Sequence, residues 1–384
     1  MKIQSASLSF SGINCATKQT TKTNATNTIA KKAVISVAAA SAIAAATLIK
    51  PIKNITVDDI ENKFKQKGFS TNDRGFLQIK LTPEQEQKID KRFGNFATNL
   101  KWWIQQANID KEDLKEFQSF INTDKKLGQE MFNKHFDNLV DNYFLVKKNK
   151  PVYEKIKQDK NVFKLFANIV NNEFTTDEIN SIYEWNGKSY IGIAHKALVA
   201  LREQAKNPNL KIEKEVQTYI NNLSNAIKTQ EIPEKTTLYR GEGFEVLNNV
   251  KLENGKIVNI GEAMKKATES NDAKQIAAVK EFFADNKITA TQPGFISTSI
   301  NKDIPNYFVG SKYNSSMNAS AGIIWELSTT KGTKGFFVEG INSESSASME
   351  QEILLQKGSK ISDITSVEYK PEHKIWTIKA KVSN

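Results

Sequence analysis

Apolar and polar positions divide the chain into a polar leader, a helical stretch and a region of short strands. Residues 1–30 are rich in Ser, Thr, Asn and Lys with little apolar periodicity, the composition of an unstructured leader. Lys31 and Lys32 then precede the uncharged run AVISVAAASAIAAATLI at 33–49, which Lys50 and Pro51 close. Three readings fit this run. It could be the apolar region of a secretory signal with an A-x-A site near Ala44 to Ala46, although the long leader ahead of the lysines argues against that. It could be a marginal membrane span, shorter and richer in alanine than the ~20 strongly apolar residues a span needs. It could also be a helical piece of a leader read by a dedicated export system. Residues 1–54 are therefore expected to be a disordered leader carrying an Ala-rich apolar segment.

From about residue 55 the spacing becomes helical. In LTPEQEQKIDKRF, Thr82 is placed as an N-cap, Pro83 at the first helical position and Gln85 as the closing member of a capping box. Leu114, Phe117 and Ile121 recur at helical intervals after Asp110. Residues 55–172 are thus expected to form an all-α domain, with Trp102 and Trp103 as packing residues. A second domain is expected over 173–384, opened by a capping box from Thr175 to Glu178 and a helix carrying Ile179, Ile182 and Tyr183. Beyond Pro233 the pattern shortens into β-rich segments, TTLYRG, GFISTSI, AGIIWELS, GFFVEG, EILLQKG and KIWTIKAKV. Helical stretches near 261–285 and 303–309 lie among them. The class this predicts is α+β, with a largely antiparallel sheet core.

Composition narrows the partners. The 384 residues suffice for two domains, and 39% hydrophobic with 25% charged residues, five Trp and 21 Phe, is the make-up of a folded chain. A formal charge of +11 draws the protein toward acidic partners: nucleic acid, an anionic membrane, an acidic protein surface or a phosphorylated small molecule. No Lys/Arg tract is interleaved with aromatics, and acids are mixed among the bases throughout, which argues against nucleic acid. A membrane contact would run through 33–49 alone. With Cys15 as the only cysteine, no intramolecular disulfide can form. His135, His195 and His373 are scattered without ligand spacing, so no metal site is expected. NGKS from Asn186 is no phosphate-binding loop, because that motif needs glycine where Ile182 stands.

Three pieces carry chemistry: Arg240 in LYRG, Ser297-Thr298-Ser299 in GFISTS, and Glu350-Gln351-Glu352 in SMEQEILL, each at the edge of an expected strand. Each motif alone is common. In this order and context they resemble the arginine, Ser-Thr-Ser and Glu-x-Glu signature of bacterial mono-ADP-ribosyltransferase toxins, over about residues 173–384. The resemblance implies an ADP-ribosyltransferase-like sheet core, NAD as substrate, no metal, and a secreted protein acting on a host protein target. It casts Glu352 as the carboxylate that binds the ribose and stabilises its cation, and Glu350 as the group that activates the acceptor. Arg240, with Gly241 behind it, would clamp the NAD phosphates, and Ser297 would order the site beside Thr298. Phe308, or Tyr307, would meet the nicotinamide. Tyr190 would lie toward the adenosine, Lys312 would reach phosphate, and residues 339–349 would read the target.

The chemistry can be built independently. Breaking the bond between nicotinamide and ribose passes through an oxocarbenium-like state, which a nearby carboxylate stabilises. Nicotinamide leaves a cationic ring as a neutral molecule, so one carboxylate suffices for cleavage. An arginine acceptor, by contrast, is fully protonated and needs a base. Period two puts Glu350 and Glu352 on one face if the strand already runs through 350; otherwise a loop must bring the first forward. Ordinary roles remain for each residue: Arg240 on a strand surface, the serine cluster as a helix cap, the aromatics as packing. Rival functions are NAD glycohydrolysis at the same site, a non-enzymatic host-binding effector, and a basic nucleic-acid binder. The helical domain would recognise or position a partner or bind an export chaperone.

Overall fold

The computed structural model describes residues 53–79, 81–84, 86–87, 109–186, 192–248, 250–309, 321–340 and 350–384. The apolar run at 33–49, Trp102, Trp103, Tyr190, Lys312 and residues 341–349 lie outside them. Among the described residues no helix is long and apolar enough to cross a membrane. The chain divides into two compact units, 1–141 and 142–384.

In the first unit, Thr56 and Asp59 exchange hydrogen bonds as a capping box that starts α1, Val57–Gln66. Its apolar face buries Ile60 and Phe64. A short antiparallel pair follows, β1 (Phe69–Thr71) and β2 (Leu77–Ile79), an addition to the helices that the apolar spacing did not announce. Thr82 accepts the Glu86 N–H at its carbonyl, as a helix start requires, while Gln85 is outside the described residues. Asp110 caps α2 (Lys111–Ile121), and Leu114, Phe117 and Ile121 are all buried there. With α3 (Lys125–Lys134) the unit closes on an aromatic core, in which the Phe64 ring meets Phe69, Phe117 and Phe136 at centroid separations of 5.0, 6.2 and 5.2 Å.

The division falls inside α4 (Phe136–Lys148), whereas the hydrophobic pattern suggests a boundary near 172. The reason is local. α5 (Lys150–Gln158) and α6 (Lys160–Asn171) belong to the second unit, where the Asn168 amide donates to the Glu231 carbonyl at 2.9 Å and its carbonyl accepts from Gln230 at 3.3 Å. The predicted capping box of Thr175 and Glu178 is formed, with both reciprocal bonds, and starts α7 (Thr176–Asn186). α8 (Ile193–Lys206) and α9 (Lys214–Lys228) complete the helices before the sheet.

The sheet strands are β3 (Thr237–Glu242), β4 (Val250–Leu252), β5 (Ile257–Val258), β6 (Ile288–Thr291), β7 (Ile296–Ser299), β8 (Gly322–Thr329), β9 (Gly335–Phe337), β10 (Glu352–Leu355), β11 (Lys360–Lys370) and β12 (Ile375–Ser383). Among the described residues they make one ten-stranded sheet, ordered β5-β4-β6-β11-β12-β8-β3-β7-β10-β9. Every pairing is antiparallel except β12 with β8, so the α+β class with a largely antiparallel core holds. Helices α10 (Ile260–Ser270) and α11 (Ala273–Asp285) lie between β5 and β6 in the chain. The sheet is anchored by Trp325 and Trp376, both fully buried. The Trp376 indole donates to Thr268 on α10 at 2.7 Å, which satisfies its polar edge inside the core. Strand order puts β3, β7 and β10 side by side, and that places the three sequence motifs on neighbouring strands.

Candidate active site

β7 lies between β3 and β10. Ser299 stands opposite Glu352, and Ser297 opposite Leu354, so period two sets Ser297, Ser299 and Glu352 on one face. On the other side β7 meets β3 at one residue pair, Ser299 with Tyr239. Where that ladder opens, the Arg240 guanidinium takes over, its Nη1 donating to the Ser297 carbonyl at 2.7 Å. Arg240 Nε donates to Glu242 at 2.9 Å, an ion pair whose side chains are only 23% and 13% exposed. The strand continues two residues past Arg240, so the arginine is not at its end. Gly241 is needed for a contact within the protein: a Cβ there would lie 2.1 Å from the Pro305 carbonyl oxygen. The close approach seen at Gly241 is between β3 and the short turn Ile304–Tyr307.

Glu352 opens β10 and is 4% exposed. Burial pushes its carboxyl up; hydrogen bonds from the Ser297 hydroxyl and the Trp185 indole, and the Arg240 charge, oppose that shift. The indole bond, Trp185 Nε1 to Glu352 Oε1, is 3.0 Å. Trp185, near the end of α7, is itself held edge-on against Phe295 at 6.0 Å. Two oriented donors and a nearby positive charge thus steady a carboxylate that the interior alone would tend to protonate.

Glu350 is off the strand. Gln351 adopts a left-handed backbone with φ 50°, so the alternation that would put both glutamates on one strand face stops at Glu352 and a turn carries Glu350 forward. The Ser299 hydroxyl donates to the Glu350 carbonyl at 2.5 Å and accepts from the Asn301 N–H at 2.9 Å, serving turn and cap together. Glu350 is half-buried; burial first, and the Glu352 charge second, push its carboxyl up to about 7. A carboxyl poised there can exchange a proton near neutrality.

The structure brings Arg240, Ser297, Glu350 and Glu352 together. Thr298 is placed in the interior, 4% exposed, where its hydroxyl donates to the Ile353 carbonyl at 2.7 Å and ties β7 to β10. Tyr307 and Phe308 are 76% and 39% exposed, which is not the burial of core packing. Sequence reasoning missed Glu242, Trp185 and Glu339. Glu242 follows Arg240 by two residues on the same strand and could have been found by that period. Trp185 and Glu339 carry no local signal, since their partner Glu352 is distant in sequence. Glu339, in the turn Val338–Gly340, is 1% exposed and accepts the Glu352 N–H at 2.7 Å. It therefore cannot be part of an exposed target-reading segment.

A buried carboxylate steadied by a hydroxyl, an indole and an arginine, with a second carboxyl set forward of it, is an arrangement chemically able to stabilise a developing cation. Residues 144–383, more than half of the chain, match the family described as ADP-ribosyltransferase exoenzyme, and the protein belongs to that family. It is an NAD-dependent protein ADP-ribosyltransferase, with NAD as its substrate. Among the described residues no group of three His, Cys, Asp or Glu could hold a metal ion. No curated protein sequence matches the chain. Among solved structures, the Clostridium limosum C3 exoenzyme is 20% identical over 55% of this chain and 87% of its own, with a TM-score of 0.36. An ADP-ribosyltransferase from Clostridium botulinum is 17% identical over 62% and 94%, with a TM-score of 0.38. A C3 protein from S. aureus, solved with NAD, is 16% identical over 55% and 88%, also at 0.38.

Proposed function

We propose that the protein is a secreted toxin or effector that transfers ADP-ribose from NAD to an arginine side chain of a host protein. The observation that carries this is the pair of unlike carboxyls: Glu352 deep, held by two donors beside the Arg240 charge, and Glu350 on a turn and poised near neutral pH. In this assignment the bond between nicotinamide and ribose breaks with its electron pair leaving on the nicotinamide, and Glu352 stabilises the ribose cation. An arginine nitrogen then bonds to the ribose carbon and gives its proton to Glu350. Arg240 uses two of its five N–H groups on Ser297 and Glu242, and the rest of the fork serves the NAD phosphates. The exposed Tyr307 and Phe308 offer aromatic faces to nicotinamide. The helical region over 55–172 would recognise or position a partner, or bind an export chaperone.

The test is incubation with labelled NAD and host-cell lysate, followed by mass spectrometry of the labelled protein. Label on an arginine is the expected result. Free ADP-ribose accumulating with no labelled macromolecule would overturn the transfer assignment in favour of hydrolysis. A biological effect that survives Glu352→Ala would overturn catalysis itself.

A further inference from the structure

We propose that Glu339 is a positioning residue that fixes the backbone of Glu352 in the active site. The inference rests on the assignment of Glu352 as the carboxylate that meets the ribose. It starts from the turn that presents both glutamates. Gln351 is a non-glycine residue in the left-handed region, a conformation that persists only where surrounding contacts impose it. Three hydrogen bonds do so. The Ser299 hydroxyl holds the Glu350 carbonyl at 2.5 Å, and the Ile300 N–H holds the Gln351 carbonyl at 3.1 Å. The third, from the Glu352 N–H to Glu339 Oε1 at 2.7 Å, comes from the other side of β10.

That third bond stands where the ladder runs out. β10 pairs with β9 at Ile353 opposite Phe337, and beyond Phe337 the backbone leaves the strand for the turn Val338–Gly340. The Glu339 side chain then supplies the acceptor that a further strand residue would have given. A carboxyl is a costly choice for this, being 1% exposed with Oε2 buried and without a hydrogen-bond partner. Burial, and the nearby Glu352 and Glu350 charges, push it well above the usual carboxylate range against the pull of the Glu352 N–H bond, and so favour its neutral form. A neutral acid holds the N–H through its carbonyl oxygen without adding a second negative charge beside Glu352. Two rigid strand edges thereby clamp the turn, and the catalytic carboxylate inherits their position.

The test compares full-length wild type with Glu339→Gln, Glu339→Asp and Glu339→Leu, reading nicotinamide release together with hydrogen exchange at the Glu352 amide. Gln keeps the acceptor oxygen without charge, so kcat should stay within about threefold of wild type and the amide should remain protected. Leu removes the acceptor and Asp withdraws it by one methylene. Both should lower kcat by ~10- to 100-fold, the scale of a small misplacement at a reacting centre, with KM for NAD nearly unchanged and faster amide exchange. Should the Leu variant fail to fold, the Asp variant carries the same comparison. Wild-type kcat and protection in Leu or Asp would overturn the proposal. So would a Gln variant as slow as Leu with its amide still protected, because the carboxyl would then act by charge rather than by position. A wild type that releases no nicotinamide would contradict the role of Glu352, while amide exchange would still decide whether Glu339 holds the turn.

Discussion

Asp59 in the first unit and the glutamates of the second are the same chemical group put to opposite use. Asp59 sits at the start of α1, where the Thr56 hydroxyl and N–H donate to it at 2.7 and 2.9 Å and hold its carboxyl below the usual range. Its ionised form is the one the fold favours. Glu339, Glu350 and Glu352 are gathered where burial favours the protonated form, and all three are pushed up. Among the described residues the first unit keeps its charges out of the interior, in pairs such as Lys134 with Glu130, around a core of Phe64, Phe117 and Phe120. Acids that stabilise a helix end reward the fold, whereas acids crowded in an interior oppose it and persist for their chemistry.

The sharpest way to break this contrast is to neutralise the deep carboxylate. Glu352→Gln should lower nicotinamide release by ~1000-fold, the scale of losing one electrostatic contact to a transition state, while leaving thermal unfolding near wild type. A variant that retained wild-type turnover would remove Glu352 from the chemistry. Trp185→Phe deletes one charge-assisted donor and keeps most of the ring. Turnover should fall by about tenfold, and the acidic limb of its pH profile should move to higher pH as Glu352 loses a bond that favours its ionised form.

The smallest effects are on stability, and their signs differ. Glu350, raised to about 7, contributes stability when protonated and loses it as pH climbs from the ordinary carboxylate range through that value. Glu350→Gln should therefore stabilise the protein at pH 8, by about 1 kcal/mol, and do little at pH 4. Asp59, lowered, contributes stability above the ordinary value and loses it as pH falls through its own. Asp59→Asn should therefore cost about 0.5 kcal/mol at pH 8 and little at pH 2, as read from thermal unfolding. Equal signs for the two substitutions at pH 8 would erase the distinction.

Much of this arrangement is legible in the residue pattern, and what is not has identifiable causes. The capping boxes at Thr56 and Thr175 are local, formed by residues three apart; the second is read directly from the sequence, the first only with the backbone in view. β8, β9, β10 and β12 announce themselves through their buried apolar residues, and β3 and β7, with one buried apolar residue each, through the short segments TTLYRG and GFISTSI between turn residues. β11 does not, because most of KISDITSVEYK is exposed or half-exposed and its register slips between Ser362 and Ser366. At the site, Arg240, Ser297 and Glu352 are recognisable as an ordered set of motifs. Trp185 and Glu339 are not, since their roles come from tertiary contacts with a strand 167 and 13 residues away in sequence. The turn at Gln351 also overrides the strand alternation, which is why only the backbone reveals how Glu350 comes forward.

The division of labour between Glu350 and Glu352 is tested most directly by Glu350→Gln, with nicotinamide release and labelling of a small guanidine acceptor measured on the same preparation from pH 5 to 9. Wild-type labelling should rise with pH through about 7 and level off as Glu350 becomes able to accept a proton. The variant should lose that rise and ~100-fold of the labelling, while releasing nicotinamide to water within a few-fold of wild type. Labelling by the variant at the wild-type rate and with the wild-type pH profile would contradict the account.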